Sequence, residues 1–259
     1  MRKSTAADST RSWSNSAPEL RQTVSARRDF FRDIYRNRAA QYDRLVARED
    51  VHGNLFGALS EITPLAGLDV VEFGAGTGRL TRLLSVTVAR IFAFDVEPAM
   101  LSQADAALRI SGMTNWRLAL GDNARLPVAS ACADLAIEGW SFAHVIGWYP
   151  DDWLARADSM LAEMTRILRP GGTAVLIETL GTGRRQPQAT DKLARLYRHW
   201  RERHGFASRW IRTDYQFASP DEANELTRFF FGDALADECL AEGEVMLPEC
   251  TGIWWKRMP

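Results

Sequence analysis

Long apolar runs are missing from this sequence of 259 residues, and none approaches the roughly 20 residues that a membrane-spanning helix needs. The N-terminus is polar and lacks the apolar segment of a secretory signal. An excess of charge is missing too, because the formal net charge is −1. These absences predict a cytoplasmic protein that acts without a membrane and without nucleic acid.

Cysteine is scarce, and the three cysteines (Cys132, Cys239 and Cys250) form no CxxC pair. Scattered cysteines are typical of a reducing compartment, where they serve as packing residues. The sequence also has no HxH or HExxH pattern and no cluster of carboxylates of the kind that holds a metal ion. We therefore expect no disulfide framework and no metal site.

Apolar residues make up 46% of the chain, which is enough for one large α/β domain. Residues 1–19 are rich in serine, threonine and alanine, and we expect them to form a disordered tail. Residues 20–49 carry apolar side chains at spacings of three and four, which predicts a helical cap. Residues 50–259 are expected to form the main domain. The apolar face of the cap comprises Phe31, Tyr35, Ala39, Tyr42 and Val46.

Apolar segments alternate with helical patterns from residue 69 onwards. This alternation predicts a doubly wound, mostly parallel sheet that is covered by helices on both faces. Strands are expected at residues 69–73, 90–94, 116–120, 133–137, 173–177, 210–217 and 253–256. Helices are expected at residues 79–84, 98–110, 153–168, 191–202 and 220–236.

The most specific motif is the run Val-Val-Glu-Phe-Gly-Ala-Gly-Thr-Gly at residues 70–78. An apolar strand that ends in a glycine-rich loop and then opens a helix lets the backbone approach a nucleotide cofactor closely. A dinucleotide-binding loop would need its third glycine at position 79, where this chain has Arg79. The spacing Glu-x-Gly-x-Gly-x-Gly instead resembles motif I of the class I S-adenosylmethionine-dependent methyltransferases.

Two further segments extend this resemblance. Asp95 ends the second predicted strand, about 20 residues beyond the glycines, where a carboxylate can accept hydrogen bonds from both hydroxyls of a ribose. Residues 120–127, Leu-Gly-Asp-Asn-Ala-Arg-Leu-Pro, resemble the family's Gly-Asp-Ala-x-x-Leu-Pro segment after the third strand. The chain is thus similar to small-molecule methyltransferases of the branch that includes quinone-biosynthesis enzymes.

The resemblance implies a seven-stranded, Rossmann-like sheet with an antiparallel last strand, in a monomer or homodimer. It implies S-adenosyl-L-methionine as methyl donor and S-adenosylhomocysteine as product. Glu72 would orient the glycine loop, Met100 would lie against the adenine, and Trp140 would wall the methionyl pocket. The residues expected to bind the cofactor are Glu72, Gly74, Ala75, Gly76, Gly78, Asp95, Val96, Met100, Gly121, Asp122, Asn123, Trp140 and Tyr42.

Catalytic residues are expected just past the fourth and fifth strands, where the resemblance places the methyl group. His144 is the best candidate for a general base, because a histidine ordinarily has its pKa near neutrality. Glu138 and Glu178 are further candidates. A carboxylate at the end of an apolar strand, as at Glu138, needs a partner such as the sulfonium or a cationic substrate. A structural role is the alternative for His144, and a local salt bridge or hydrogen bond is the alternative for Glu138.

The acceptor is expected to contact Tyr35, Arg212 and Trp254. The segment of residues 184–212 is basic, so Arg212 would hold an anionic acceptor in a bidentate pair, and a solvated helix face is the alternative. Residues 138–141 are Glu-Gly-Trp-Ser, whereas nucleic-acid amino-methyltransferases have Asn/Asp-Pro-Pro-Tyr/Phe there.

The expected function is therefore methyl transfer to an oxygen, nitrogen or carbon nucleophile of a small molecule. Two other classes of function stay open on the sequence. One is a protein that binds S-adenosylmethionine without catalysis, which would keep the glycine loop and lack an acceptor pocket. The other is an NAD(P)-dependent oxidoreductase, which the glycine spacing disfavours.

Overall fold

The computed structural model describes residues 17–259, with side chains at residue 26 and from residue 28 onwards. Its strands are β1 (Asp69–Phe73), β2 (Arg90–Asp95), β3 (Trp116–Leu120), β4 (Ala133–Gly139), β5 (Leu168–Thr182), β6 (Ala207–Arg212), β7 (Tyr215–Gln216), β8 (Met246–Leu247) and β9 (Glu249–Arg257). Within the described residues, seven of them form one sheet in the order β3-β2-β1-β4-β5-β9-β6. Within this sheet, strand β9 runs antiparallel to both of its neighbours, and all other neighbouring strands are parallel. The predicted doubly wound sheet with an antiparallel last strand is confirmed.

Helices precede the sheet and connect its strands. They are α1 (Ala17–Asn37), α2 (Ala39–Val46), α3 (Asn54–Ile62), α4 (Arg79–Ser85), α5 (Pro98–Ser111), α6 (Val145–Trp148), α7 (Trp153–Ile167), α8 (Asp191–Glu202), α9 (Pro220–Phe231) and α10 (Asp233–Cys239). A short 3-10 turn at Phe142–His144 leads into α6. The helix–strand alternation places the loops that follow β1, β2 and β4 at one edge of the sheet.

Two predicted elements are divided in the structure. The strand expected at residues 210–217 ends at Arg212, whose Nε atom turns back to donate to Asp214 Oδ1 at 2.9 Å, and β7 then pairs with β8. The helix expected at residues 220–236 is interrupted at Gly232, where a φ of 89° separates α9 from α10. Each break depends on a single residue. The hydrophobic periodicity that predicted these elements is averaged over many residues, so it does not show the breaks.

The core lies on both faces of the sheet. Successive residues of a strand point to opposite faces, so Val70 packs under α3 and α4 whereas Val71 packs under α7 and α8. Trp200 of α8 is completely buried on the second face. Near-continuous burial of β1, β4 and β5 is the pattern expected of central parallel strands.

Helices α1 and α2, which we call the cap, lie over the carboxyl edge of the sheet. Ile34 and Tyr35 of α1 pack with Met100 of α5 in one buried cluster. Surface ion pairs, such as Arg36 Nε to Glu97 Oε1 at 3.1 Å, also join the cap to the main domain, and pairs of this kind contribute little stability.

The expected division into tail, cap and main domain stays a prediction. Residues 1–16 lie outside the described residues, and α1 begins at Ala17, so the tail expected at residues 1–19 is not tested over most of its length. Between residues 17 and 259, no helix combines the length and the apolar character needed to cross a membrane.

Candidate active site

A cavity of about 510 Å³ opens at the carboxyl edge of the sheet, beneath the cap. Ligands of open α/β sheets bind at this edge, and small-molecule sites have volumes of roughly 300–1,000 Å³. The predicted site residues that line the cavity are Tyr35, Tyr42, Glu72, Gly74, Ala75, Gly76, Asp95, Val96, Met100, Gly121, Asp122, Asn123, Trp140, His144 and Glu178. The predicted site residues that do not line it are Gly78, Glu138, Arg212 and Trp254.

The three glycines of the loop after β1 have three different surroundings. A Cβ at Gly74 would lie 2.4 Å from Ser141 Cβ, so the absence of a side chain at Gly74 leaves room for the turn after β4. At Gly76 the nearest atom to a Cβ is a ring carbon of Tyr42 at 4.0 Å, so this backbone faces the open cavity. A Cβ at Gly78 would lie 3.1 Å from Ala104 Cβ, so Gly78 serves the packing of α4 on α5.

Asp95 is the carboxylate best placed to hold a ribose. Its Oδ2 atom accepts the backbone N–H of Gly76 at 2.8 Å, and its Oδ1 atom accepts that of Glu97 at 2.9 Å. An ionised carboxylate has about four acceptor positions, so these two bonds do not fill it. Burial raises the pKa of Asp95, and hydrogen bonds from the backbone amides of Glu97, Gly76 and Val96 oppose that shift. These amides fix the carboxylate at the mouth of the glycine loop.

The loop after β3 closes the same end of the cavity. Asp122 Oδ1 accepts the backbone N–H of Ala124 at 2.8 Å, which makes an Asx turn and leaves the other oxygen exposed. A Cβ at Gly121 would lie 2.8 Å from a methyl of Leu126, so this position has room for glycine only. The turn therefore presents Asp122 and Asn123 beside Asp95 on one wall.

Glu72 lies at the floor of the cavity and is 1% exposed. Its Oε2 atom accepts the hydroxyl of Thr81 at 2.6 Å. Burial raises the pKa of Glu72 to about 8, so the carboxyl is mainly protonated at neutral pH. A cationic ligand group beside it would favour the ionised form.

His144 and Tyr35 meet on the opposite wall. The Tyr35 hydroxyl lies 2.9 Å from His144 Nε2, and the imidazole stacks on Trp148 with 5.0 Å between ring centroids. Burial among aromatic rings lowers the pKa of His144 to about 4, so the ring is neutral at pH 7. Burial raises the pKa of Tyr35, which keeps the hydroxyl protonated. The fold thus brings together the predicted general base His144 and the predicted substrate contact Tyr35, which are 109 residues apart in the sequence.

Glu138 was predicted as a catalytic residue, but the structure places it beneath the turn after β4. Its Oε2 atom accepts the backbone N–H groups of Ser141 and Phe142 at 3.1 and 3.2 Å, and Oε1 accepts that of Ile177 at 3.2 Å. Trp140 in this turn has a φ of 55°, a conformation that costs roughly 1–2 kcal/mol outside glycine. The buried carboxylate satisfies these amides and holds the strained turn, which explains its position at the end of an apolar strand.

Glu178 faces the cavity, as predicted. Its Oε1 atom accepts the backbone N–H of Ala143 at 2.7 Å. Burial, and then the neighbouring Glu138 carboxylate, raises its pKa. The side chain is 3% exposed, so Glu178 is a buried hydrogen-bonding group beside the 3-10 turn that carries His144.

Residues 71–176 match a family profile described as a methyltransferase domain. Over these residues, which are less than half of the chain, the match and the curated relatives indicate a class I S-adenosylmethionine-dependent methyltransferase domain. S-adenosylmethionine, the cofactor expected from the sequence, is the cofactor of this family. The match covers β1 to the middle of β5, which includes the glycine loop, Asp95 and the turn that carries His144. The oxidoreductase alternative is thereby set aside.

Relatives support this assignment over part of their length. A methyltransferase of Geobacillus kaustophilus, named as uncharacterised, is 29% identical over 154 residues, which cover 58% of this chain and 66% of the relative. A malonyl-[acyl-carrier protein] O-methyltransferase of Hahella chejuensis is 34% identical over 140 residues, which cover 53% of this chain and 45% of the relative. The chain thus spans between 45% and 66% of the length of these two relatives.

The fold has solved counterparts as well. A structure described as an S-adenosylmethionine-dependent methyltransferase from Aquifex aeolicus superposes with a TM-score of 0.52 at 16% identity, covering 77% of this chain and 87% of that one. At this identity the likeness concerns the fold alone.

Two residues of this methyltransferase that were predicted to bind the acceptor lie elsewhere. Arg212 donates from Nε to Asp214 at 2.9 Å and from Nη1 to the carbonyl of Arg185 at 3.3 Å, so its guanidinium is occupied outside the cavity. Trp254 is 3% exposed and packs against Tyr197, with 4.4 Å between ring centroids. The register of β9 turns Trp254 toward the α7–α8 face of the sheet, where it belongs to the core.

The methyltransferase cavity also contains a polar group that the sequence did not reveal. Arg79 forms an ion pair with Glu49, and its guanidinium lies 4.0 Å above the ring of Trp140. The Nη2 atom of Arg79 and the Oε2 atom of Glu249 are buried without a hydrogen-bond partner among the described residues. Burial raises the pKa of Glu249, and the nearby Glu49 raises it further. Two unsatisfied polar atoms in one cavity indicate room for a polar ligand group.

Only Arg79 carried a local signal, because it directly follows the glycine loop. Glu49 and Glu249 come from the two ends of the chain. Tyr215 donates its hydroxyl to Glu49 Oε2 at 2.8 Å, and Glu49 lies close enough to Glu249 to raise its pKa. No sequence spacing connects these positions.

Proposed function

We propose that this chain transfers the methyl group of S-adenosylmethionine to an oxygen, nitrogen or carbon nucleophile of a small molecule, with S-adenosylhomocysteine as product. The observation that carries the proposal is a single covered cavity with Asp95 on one wall and the His144–Tyr35 pair on the other. Its volume of about 510 Å³ suits a cofactor and a small acceptor better than a macromolecule. We expect a cytoplasmic monomer or homodimer that acts without nucleic acid.

The cavity has features that fit the cofactor. The open space at Gly76 is a place where the backbone can approach a ligand and where a Cβ would intrude. Asp95 retains acceptor positions for the ribose hydroxyls. The unpartnered Nη2 atom of Arg79 suits a carboxylate, and the methionyl part of the cofactor carries one. These residues would hold the nucleoside and the methionyl group.

When bound, the cofactor supplies a sulfonium-activated methyl group, so the enzyme's main task is to align the nucleophile with it. Trp140 and the cap close the cavity over the reacting groups. The neutral imidazole of His144 can take a proton from an acceptor, either directly at Nε2 or through the Tyr35 hydroxyl. Tyr35 also fixes the orientation of the ring. Glu178 holds the turn that carries His144, and its carboxyl group faces the cavity.

A labelling experiment tests the proposal. Tag-free protein is incubated with S-adenosylmethionine carrying a deuterated methyl group and, separately, with the small-molecule, protein and RNA fractions of a bacterial extract. We expect a labelled product in the small-molecule fraction, detected by mass spectrometry. Calorimetry with S-adenosylhomocysteine is run in parallel.

The outcomes separate the alternatives. Binding of S-adenosylhomocysteine without any labelled product would favour the non-catalytic binding protein. Label in protein or RNA alone would contradict the small-molecule acceptor. An Asp95→Asn variant serves as the control, since it should lose cofactor binding and labelling together.

A further inference from the structure

Three side chains that commonly bind metal ions meet outside the cavity, between α7 and α8. Asp158 lies on α7, His199 lies in the last turn of α8, and His204 follows that helix. His199 Nε2 is 2.6 Å and His204 Nε2 is 2.7 Å from the same Asp158 oxygen, Oδ1, and the two Nε2 atoms are 3.2 Å apart. None of the three lines the active-site cavity.

The geometry differs from that of an ordinary histidine–aspartate pair. One imidazole is enough to pair with a carboxylate oxygen, but here a second ring directs its Nε2 atom at the same oxygen, and the ring planes are 72° apart. Zinc binds imidazole nitrogen and carboxylate oxygen at about 2.0–2.2 Å. The triangle of donor atoms, with edges of 2.6, 2.7 and 3.2 Å, lies within reach of one ion. Tetrahedral donors about 2.1 Å from zinc are about 3.4 Å apart, so the two edges to Asp158 would lengthen by about 0.7 Å when the ion binds.

The types of donor atom, two imidazole nitrogens and one carboxylate oxygen, indicate which class of metal ion the cluster would bind. Imidazole nitrogen suits zinc and neighbouring transition metals, whereas magnesium and calcium prefer sites made of oxygen. The three side chains are 46%, 20% and 27% exposed, so an ion can reach them from solvent and a water molecule can complete the coordination. We propose that Asp158, His199 and His204 bind one divalent transition-metal ion, for which zinc is the probe. The spacing of the residues in the sequence had indicated no metal site.

Such an ion would join the two helices that cover one face of the sheet. Helix α8 contributes the buried Trp200 to the core, and Leu193 near its start lines the cavity. Lys256 Nζ donates to the carbonyl of His204 at 2.7 Å, which already anchors the turn after α8 to the last strand. The ion would add a link between α7 and α8, so its main effect is on stability and not on methyl transfer.

The test uses the full-length, tag-free protein after treatment with a chelator. Zinc is titrated in competition with a chromogenic chelator, and cobalt is added separately because its absorption spectrum reports nitrogen and oxygen ligands. We expect one ion per chain. At a zinc concentration a hundredfold above Kd, the Tm should rise by about 5 °C.

Matched variants locate the site. Asp158→Asn and His204→Ala should each weaken zinc binding at least tenfold and abolish the rise in Tm, while circular dichroism reports whether each variant remains folded. His52→Ala, at an exposed histidine elsewhere, should bind zinc as the wild type does. His199→Gln provides a second replacement within the cluster if His204→Ala fails to fold.

Absence of stoichiometric binding in the wild type would overturn the proposal, and so would equal zinc affinity in the wild type and in folded cluster variants. Neither readout requires methyl transfer. Failure of the metal site is therefore distinguishable from failure of the proposed enzymatic function.

Discussion

The two ends of the cavity are built in different ways. The end that we propose to bind the nucleoside of the cofactor, called the nucleoside end, is formed by the loops after β1, β2 and β3 and takes Gly76, Asp95 and Asp122 from one continuous stretch of chain. The end that we propose to bind the acceptor, called the acceptor end, takes Tyr35 from the cap, His144 from the turn after β4 and other residues from later in the chain. Local motifs therefore describe the first end, whereas the second exists only through tertiary packing.

The largest expected effect comes from blocking the nucleoside end. Gly76 and Gly53 have similar backbone conformations, with φ values of 54° and 66°, and a Cβ at Gly53 would have no neighbour within 4 Å. Leucine at either position should destabilise the fold by about 1–2 kcal/mol. Only Gly76→Leu should also fill the cavity, raising the Kd for S-adenosylhomocysteine about a thousandfold, or about 4 kcal/mol. Isothermal calorimetry compares the two variants, and equal binding would contradict this placement of the cofactor.

Asp95→Asn should give the next largest effect. The variant keeps the size of the side chain but loses the charge that strengthens hydrogen bonds from the ribose, each worth about 1.5–3 kcal/mol. We expect the Kd for S-adenosylhomocysteine to rise about a hundredfold. The matched control is Asp105→Asn, at a partly exposed acid of α5 that pairs with Arg109 and does not line the cavity. If the control lost as much affinity as Asp95→Asn, the ribose role of Asp95 would be wrong.

Glu72 makes stability depend on pH. Burial raises its pKa to about 8 from an ordinary value of 4.5. The folded state holds the proton between these values while the unfolded state releases it, so this stability is complete below pH 4.5 and is lost as the pH rises to about 8. The Glu72→Gln variant cannot ionise there. Between pH 5 and pH 9 it should lose about 4 kcal/mol less stability than the wild type.

Urea denaturation at the two pH values measures this difference. Glu61→Gln, at an exposed acid that pairs with Arg209, is the control and should behave as the wild type does. The same pH dependence in Glu72→Gln and wild type would show that Glu72 does not carry the effect.

The sheet and the nucleoside end were predictable because their signals lie in short segments. The glycine spacing after β1 and the acid at the end of β2 depend only on neighbouring residues, and the structure brings Gly76 and Asp95 into direct contact at 2.8 Å. Gly78 shows the limit of such reasoning. Gly78 is required for the packing of α4 on Ala104. The sequence alone cannot distinguish that role from contact with a ligand.

The acceptor end was only partly predictable, because side-chain direction there depends on distant contacts. Glu138 is at the expected place in the chain, yet its carboxylate turns to the amides of the following turn. Trp254 and Trp255 alternate along β9, and only the register of that strand decides which of them enters the core beside Tyr197. Glu49 and Glu249 are brought together by the complete fold.

Tyr35→Phe tests the acceptor end with a smaller change. It removes the hydroxyl that lies 2.9 Å from His144 Nε2 and leaves the ring in place. A neutral hydrogen bond contributes about 1 kcal/mol, so we expect kcat for the acceptor found by labelling to fall five- to tenfold. Binding of S-adenosylhomocysteine should not change. The control is Tyr149→Phe, at another tyrosine of the cavity wall, and an equal loss in both variants would argue against a specific His144–Tyr35 pair.

The smallest effect is expected for a substitution of Arg212. Comparing it with a substitution of Arg79 distinguishes the two arginines that were considered for ligand binding. The Arg212 guanidinium is held by Asp214 outside the cavity, whereas Arg79 has an unpartnered Nη2 atom within it. Arg212→Lys should change the acceptor KM and the cofactor Kd less than twofold. Arg79→Lys should weaken at least one of them about tenfold, because lysine lacks the planar pair of donors. If Arg212→Lys had a larger effect than Arg79→Lys in steady-state kinetics, Arg212 would be the residue that binds an anionic acceptor. The acceptor would then bind outside the covered cavity.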